Sequence, residues 1–154
     1  MKEASNPDGF LVVFAQRARA LLEVEAWNRQ GERFFSTRIG LAEPLENGGR
    51  LVVAPHGRDP GVRRVEGRGR QESDLLQADI AESRAGGGGL GELARRCPTV
   101  WLVERESAGD LLALQLAAVM ASVLLGPILD PAACQLFGVK TARAKIDAAT
   151  RLHA

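Results

Sequence analysis

One stretch of this chain, residues 99–125, constrains its fold more than any other. The stretch opens with Thr99–Val103, an unbroken run of apolar and β-branched residues. Such a run is too short for a helix of its own and is typical of a strand that is covered on both faces. We therefore predict a central strand at about 99–104, around which the remaining elements must pack.

A very apolar helix is predicted directly after that strand. From Leu111 to Leu125 the sequence contains no charged residue, and a Gly-Pro pair then ends the pattern. Ser107 and Asp110 have the spacing of a capping box, so the helix is expected at about 108–125. At this length the helix is too short to cross a membrane, and we expect it to be buried in protein.

The first third of the chain predicts an antiparallel β-meander. The segment from Leu22 to Ala26 alternates as a strand does, although its Ala, Leu, Arg and Glu content also suits a helix. We favour a strand, because a four-residue loop would pair it with the β-type segment that follows. The predicted strands are Phe10–Phe14, Leu22–Ala26, Arg33–Ile39 and Arg50–Ala54.

The predicted hairpin loop is Asn28–Gly31, and the register places Val24 opposite Phe35. Trp27 and Phe34 would then lie on the more polar face of the sheet. An aromatic pair there either binds a ligand or a partner, or is covered by another element. The segment Leu41–Gly49 is expected to be a connecting loop.

Residues 55–70 differ in composition from the rest of the chain. They contain five arginines against two acids, together with four glycines and two prolines. Glycine and proline at this density oppose regular structure. We therefore predict a flexible basic loop that is sensitive to protease and that becomes ordered around an anion.

The carboxyl-terminal half predicts mainly helices, so the fold class is α+β. A loose N-terminus, residues 1–9, precedes a single domain at 10–154, a length that can bury a sizeable core. The helices expected besides the apolar one lie at about 73–85, 90–96, 131–138 and 142–152.

Composition excludes several classes of function. The formal net charge of +1 gives no general attraction for nucleic acid or for an anionic membrane, and the basic loop contains no aromatic residue for bases to stack on. Two cysteines, Cys97 and Cys134, are far apart in sequence and match no metal or redox spacing. We expect a cytoplasmic protein with free thiols, no metal and no cofactor.

A candidate catalytic group follows the fourth predicted strand. His56 with the carboxylate of Asp59 has the composition of a general base, and Arg58 could hold an anionic substrate. An ordinary turn over Pro55–Gly61 explains the same residues. No serine or cysteine has the context of a nucleophile.

Two further motifs are candidates for binding an anion. The arginines of the basic loop can present bidentate donors to a phosphate, although a solvated loop explains them equally. These arginines are Arg58, Arg63, Arg64, Arg68 and Arg70. Gly86, Gly88 and Gly91 have the spacing G-x-G-x-x-G, but a helical pattern rather than a strand precedes them, which favours a helix end.

Two hypotheses for function remain. The first is a non-enzymatic binding or adaptor module that assembles through its apolar helix, forming a homodimer or binding a protein partner. Ala113, Ala117 and Ala121 would line the flank where a second helix could approach closely. The second is a small enzyme that acts on an anionic substrate at His56, Arg58 and Asp59.

Overall fold

The computed structural model describes residues 9–152, and in these residues a mixed sheet-and-helix fold is built on seven strands. The predicted loose N-terminus lies outside the described residues except for Gly9. The strands are β1 (Phe10–Ala15), β2 (Thr37–Leu45), β3 (Gly48–Pro55), β4 (Gly61–Gly69), β5 (Thr99–Glu104), β6 (Ile128–Asp130) and β7 (Gln135–Phe137). The helices are α1 (Val24–Phe34), α2 (Glu72–Arg84), α3 (Leu90–Arg95), α4 (Leu111–Leu124) and α5 (Val139–Leu152).

All seven strands belong to one antiparallel sheet in the order β2-β3-β4-β5-β1-β6-β7. The α+β fold class is therefore confirmed. β1 and β5 lie at the centre, and their apolar runs point alternately to the two faces. Leu11, Val13 and Trp101 join a core with α1, α4 and α5, whereas Val12 and Val100 join a second core under α2 and α3. The prediction of a central strand covered on both faces is confirmed.

The apolar helix is present as α4 and is largely buried. Its N-cap is Asp110, whose side chain accepts a hydrogen bond from the backbone N–H of Ala113 at 3.2 Å. The predicted cap at Ser107 is thus three residues too early. Asp110 serves as the cap instead, and its carboxylate pairs with the buried Arg63. Leu125 adopts a left-handed conformation (φ 62°) and ends the helix. Within residues 9–152, no helix is long and apolar enough to cross a membrane.

The predicted strand Leu22–Ala26 and its hairpin loop are wrong, because this segment continues into helix α1. Trp27 is fully buried, and its ring meets that of Trp101 edge-on, with 5.3 Å between centroids. Gly31 is a contact residue rather than a turn residue, since a Cβ atom there would lie 2.6 Å from the carbonyl oxygen of Thr37. Trp27 and Phe34 therefore form no pair on a sheet face, and Phe34 is 48% exposed.

The meander is formed by β2, β3 and β4, not by the first four predicted strands. β1 is excluded from it and pairs with β5 and β6. The predicted loop Leu41–Gly49 instead contains the end of β2, a two-residue turn and the start of β3. Pro44 is tolerated there because β2 is an edge strand.

A flexible loop over 55–70 is also wrong for most of its length, because Gly61–Gly69 is strand β4. β4 pairs with β3 on one side and with β5 on the other. Glycine fits this strand because Gly67 packs directly against Trp101, and a Cβ atom there would lie 3.0 Å from the indole ring. Only residues 56–60 connect the strands.

The short helix predicted at 131–138 is a β-hairpin in the structure. β6 and β7 pair across a turn in which the Asp130 carboxylate accepts a hydrogen bond from the backbone N–H of Ala133 at 3.2 Å. Cys134 adopts a left-handed conformation (φ 53°) in this turn. The other predicted helices match α2, α3 and α5 to within a few residues.

Candidate functional site

The candidate site is built around the turn between β3 and β4. His56 follows the last residue of β3, and its backbone N–H donates a hydrogen bond to the carbonyl oxygen of Ser36 at 2.8 Å. Ser36 lies between α1 and β2 with φ 48°, a conformation that is uncommon for a residue other than glycine. Strained backbone of this kind concentrates at functional sites.

A cavity of about 240 Å³ opens beside this turn. Its walls come from four parts of the chain: the end of α1 with the connection to β2, the β3–β4 turn, α4 and α5. The polar side chains that line it are those of Ser36, His56, Arg58, Gln115, Arg143, Asp147 and Thr150. Two arginines and one carboxylate give this lining an excess of positive charge.

Arg58 is held in the cavity by a neutral partner. Its guanidinium donates to the side-chain oxygen of Gln115 at 2.6 Å. Gln115 is buried, and its amide nitrogen donates to the Thr37 hydroxyl at 2.8 Å and to the Phe35 carbonyl at 3.2 Å. The amide is thus oriented with its oxygen towards Arg58, and the arginine keeps most of its five N–H donors for another acceptor.

Arg143 approaches the cavity from α5 and also has a neutral partner. Its guanidinium carbon lies 4.6 Å from the centroid of the Phe35 ring, a cation–π contact. Asp147 is one helical turn farther along α5, but no ion pair joins it to Arg143. Within the described residues, neither Arg58 nor Arg143 is paired with a carboxylate.

The predicted catalytic residues are only partly brought together. His56 and Arg58 line the cavity, whereas Asp59 is exposed and is not part of the lining. The imidazole of His56 has no hydrogen-bond partner in residues 9–152, so no carboxylate orients it there. The histidine is available to donate or accept a hydrogen bond from a ligand in the cavity.

Arg63, one of the predicted anion-binding residues, is instead part of a buried ion pair. Its Nε and Nη2 atoms donate to the two carboxylate oxygens of Asp110 at 2.7 and 2.9 Å, and these side chains are 9% and 4% exposed. Burial alone would raise the pKa of Asp110. Hydrogen bonds from Arg63 and from the backbone N–H groups of Glu106 and Ala113 outweigh it and lower the pKa of this carboxyl below its ordinary value.

The remaining predicted arginines are bonded to acceptors of the chain itself. Arg64 pairs with Glu66 at 3.4 Å on the surface, and Arg68 pairs with the buried Asp74 at 2.7 Å. Arg70 donates to the carbonyl oxygens of Arg95 and Cys97 at 2.8 and 2.9 Å. These contacts separate them from the cavity, and we do not include them in the candidate site.

The glycine-rich motif is satisfied internally. The carboxylate of Glu82 accepts hydrogen bonds from the backbone N–H groups of Gly89 and Gly91 at 2.6 and 2.9 Å. The amides that a phosphate would need are therefore already occupied. In the part of the chain that the structure describes, no group of three or more His, Cys, Asp or Glu side chains is arranged to hold a metal.

Sequence reasoning missed Gln115, Arg143 and Asp147. Gln115 is one of only two polar residues in the apolar helix, and a polar side chain in a buried helix must have a partner. This requirement for a partner could have identified Gln115 as a candidate from the sequence. Arg143 and Asp147 carry no such signal, because charged residues on the outer face of an amphipathic helix are ordinary.

Comparison of the chain with protein-family models gives no match, and comparisons with curated proteins and with solved structures give none either.

Proposed function

We propose that this protein binds a small anionic molecule in the cavity between Arg58 and Arg143. The observation that carries the proposal is that both arginines line one cavity and have only neutral partners within residues 9–152. Arg63 and Arg68, by contrast, are matched by the carboxylates of Asp110 and Asp74. An anion between Arg58 and Arg143 would balance the excess positive charge of a lining in which Asp147 is the single carboxylate among the described residues.

The geometry of the partners supports binding of a phosphate or a carboxylate group. Guanidinium presents its donors in a planar fork that matches both groups. Gln115 holds Arg58 and Phe35 holds Arg143, so less side-chain freedom is lost when a ligand binds. The hydroxyl of Ser36 adds a neutral hydrogen-bonding group to the lining.

We favour binding over catalysis because of His56. A general base needs an orienting partner, and the imidazole has none among the described side chains. Asp59, which was expected to serve, lies outside the lining. The enzyme hypothesis stays a prediction, as does a location in the cytoplasm.

Assembly through α4 also stays a prediction, but the alanine flank on which it was based gives it less support. Ala113, Ala117 and Ala121 are between 0% and 2% exposed within the single chain. The flank that was expected to contact a second helix is therefore already covered by α1, α5 and the sheet. A homodimer would have to use another surface.

Isothermal titration calorimetry with pyrophosphate, and separately with succinate, tests the proposal at constant ionic strength. Losing one charge-assisted hydrogen bond costs about 1.5–3 kcal/mol, so Arg58→Gln and Arg143→Gln should each weaken binding by about tenfold or more. The side-chain amide of Gln115 should shift in the NMR spectrum on titration, because its oxygen contacts Arg58.

Arg64→Gln is the matched control, since it removes the same charge at an exposed position outside the cavity. Its affinity for the probe should equal that of the unmodified protein. If Arg64→Gln weakened binding equally, affinity would depend only on the total charge of the protein, and this would contradict the proposal. The absence of binding by both probes would contradict it as well.

A further inference from the structure

A second cavity, larger than the first, lies on a different side of α5. It has a volume of about 400 Å³, within the size range of small-molecule sites, and opens between the end of α2, the β6–β7 hairpin and the start of α5. Its walls are mainly apolar and include Leu90, Leu136 and Phe137. Small side chains, those of Ala81 and Ala133 among them, leave the space open.

The charged groups of this lining are both positive. Arg84 and Lys145 are its only ionisable basic residues, and no Asp or Glu of the described chain contributes to it. Arg84 has no side-chain hydrogen bond or ion pair within residues 9–152. Lys145 has neutral partners, the Gln135 side-chain oxygen at 3.1 Å and the Phe137 ring, whose centroid lies 5.1 Å from Nζ.

Lys145 also borders a smaller cavity that contains Asp110 and Asp130. Neither carboxylate neutralises it by an ion pair, because Asp110 is bonded to Arg63 and Asp130 to Arg105 at 2.9 Å. The charge of Lys145 is therefore left for a ligand in the larger cavity.

We propose that this cavity binds a small amphipathic monocarboxylate, with its apolar part against Leu90, Leu136 and Phe137 and its carboxylate between Arg84 and Lys145. Apolar walls favour burial of a hydrocarbon chain or a ring. Two cations without a facing acid favour an anionic head group over a neutral or a cationic one. This site is separate from the Arg58 cavity, to which α5 contributes Arg143, Ile146, Asp147 and Thr150 instead.

Cys134 provides a direct report on occupancy, because its side chain is part of the lining and is partly exposed. Cys97 is an internal control. It is buried, and burial raises the pKa of its thiol to about 11, so it should react slowly with a thiol reagent. Mass spectrometry after timed labelling with methyl methanethiosulfonate distinguishes the two positions.

The probes are octanoate, octanol and octylammonium, which share the apolar chain and differ in charge. At ten times its Kd, octanoate should slow labelling of Cys134 about tenfold, because labelling requires the unoccupied cavity. Octanol and octylammonium should need a concentration at least about tenfold higher for the same protection, since they lack the charge-assisted hydrogen bonds.

The double variant Arg84→Gln/Lys145→Gln should lose this preference, so that octanoate protects no better than octanol does. Lys140→Gln/Arg151→Gln removes the same charge from exposed positions of α5 outside the cavity, and it should keep the preference. Equal protection by the three probes in the unmodified protein would overturn the proposal. An absence of protection by octanoate would overturn it too, as would unchanged selectivity in the Arg84 and Lys145 variant.

Discussion

Arg58 and Arg63 are five residues apart in the sequence and have opposite surroundings in the fold. Arg63 makes two charge-assisted hydrogen bonds to Asp110 beneath the N-terminus of α4. Arg58 has a shorter contact, 2.6 Å, but to the neutral amide of Gln115. The first arginine has its charge matched by its own chain, whereas the second faces a cavity with its charge unmatched.

This difference separates a structural arginine from one that is available to a ligand. A buried ion pair contributes little net stability compared with apolar residues, but removing one member leaves an uncompensated charge. An arginine that is bonded to an amide on a cavity wall can be substituted with less effect on folding, because water can take over the hydrogen bond to the amide. The same substitution at the two positions should therefore affect stability in one case and binding in the other.

Arg63→Gln should have the largest effect on stability. It leaves the carboxylate of Asp110 buried without a cation, and breaking a buried pair in this way costs about 3–5 kcal/mol. Urea unfolding followed by circular dichroism measures the loss. The double variant Arg63→Gln/Asp110→Asn should recover part of it, because no charge is then left buried. A loss below about 1 kcal/mol would mean that the Arg63–Asp110 pair does not stabilise the fold and would remove the basis of the comparison.

The same pair predicts how stability depends on pH. The pKa of Asp110 is lowered in the folded chain, so its contribution is present above the ordinary carboxyl pKa and is lost as pH falls through the folded value. The pKa of Asp130 is also lowered, because hydrogen bonds from Arg105 and from the backbone N–H groups of Ala132 and Ala133, together with the charge of Arg105, outweigh the effect of burial. Urea unfolding from about pH 7 to about pH 3 should show a decrease in stability. The decrease should be smaller in Asp110→Asn, and an identical slope in this variant would contradict the assignment.

Among the elements that sequence predicted correctly are the most apolar ones, and these form the centre of the fold. β1, β5 and α4 are continuous apolar segments, and most of their residues are buried. β4 was missed because glycine and proline at this density usually oppose regular structure, whereas Gly67 in this strand packs directly against Trp101. α1 was missed because Gly31, which permits close approach to β2, has the composition of a hairpin loop.

The candidate site was likewise predicted only where its residues are close together in the sequence. His56 and Arg58 were found because they are neighbours in sequence. Gln115 and Arg143 join them only through the packing of α4 and α5 against the sheet, and no local pattern encodes that. Which arginine meets a carboxylate is decided by tertiary contacts, so the five arginines of the β3–β4 region could not be separated by composition.

Arg64→Gln should have the smallest effect and completes the comparison. Arg64 follows Arg63 directly, but its side chain is 46% exposed and its partner Glu66 is equally accessible at 3.4 Å. Exposed pairs of this kind contribute about 0–1 kcal/mol, so the change in unfolding free energy should stay within about 0.5 kcal/mol. Urea unfolding beside Arg63→Gln measures the contrast between two adjacent arginines. A large loss for Arg64→Gln would mean that the charge of β4 as a whole, rather than the burial of one pair, stabilises this part of the sheet.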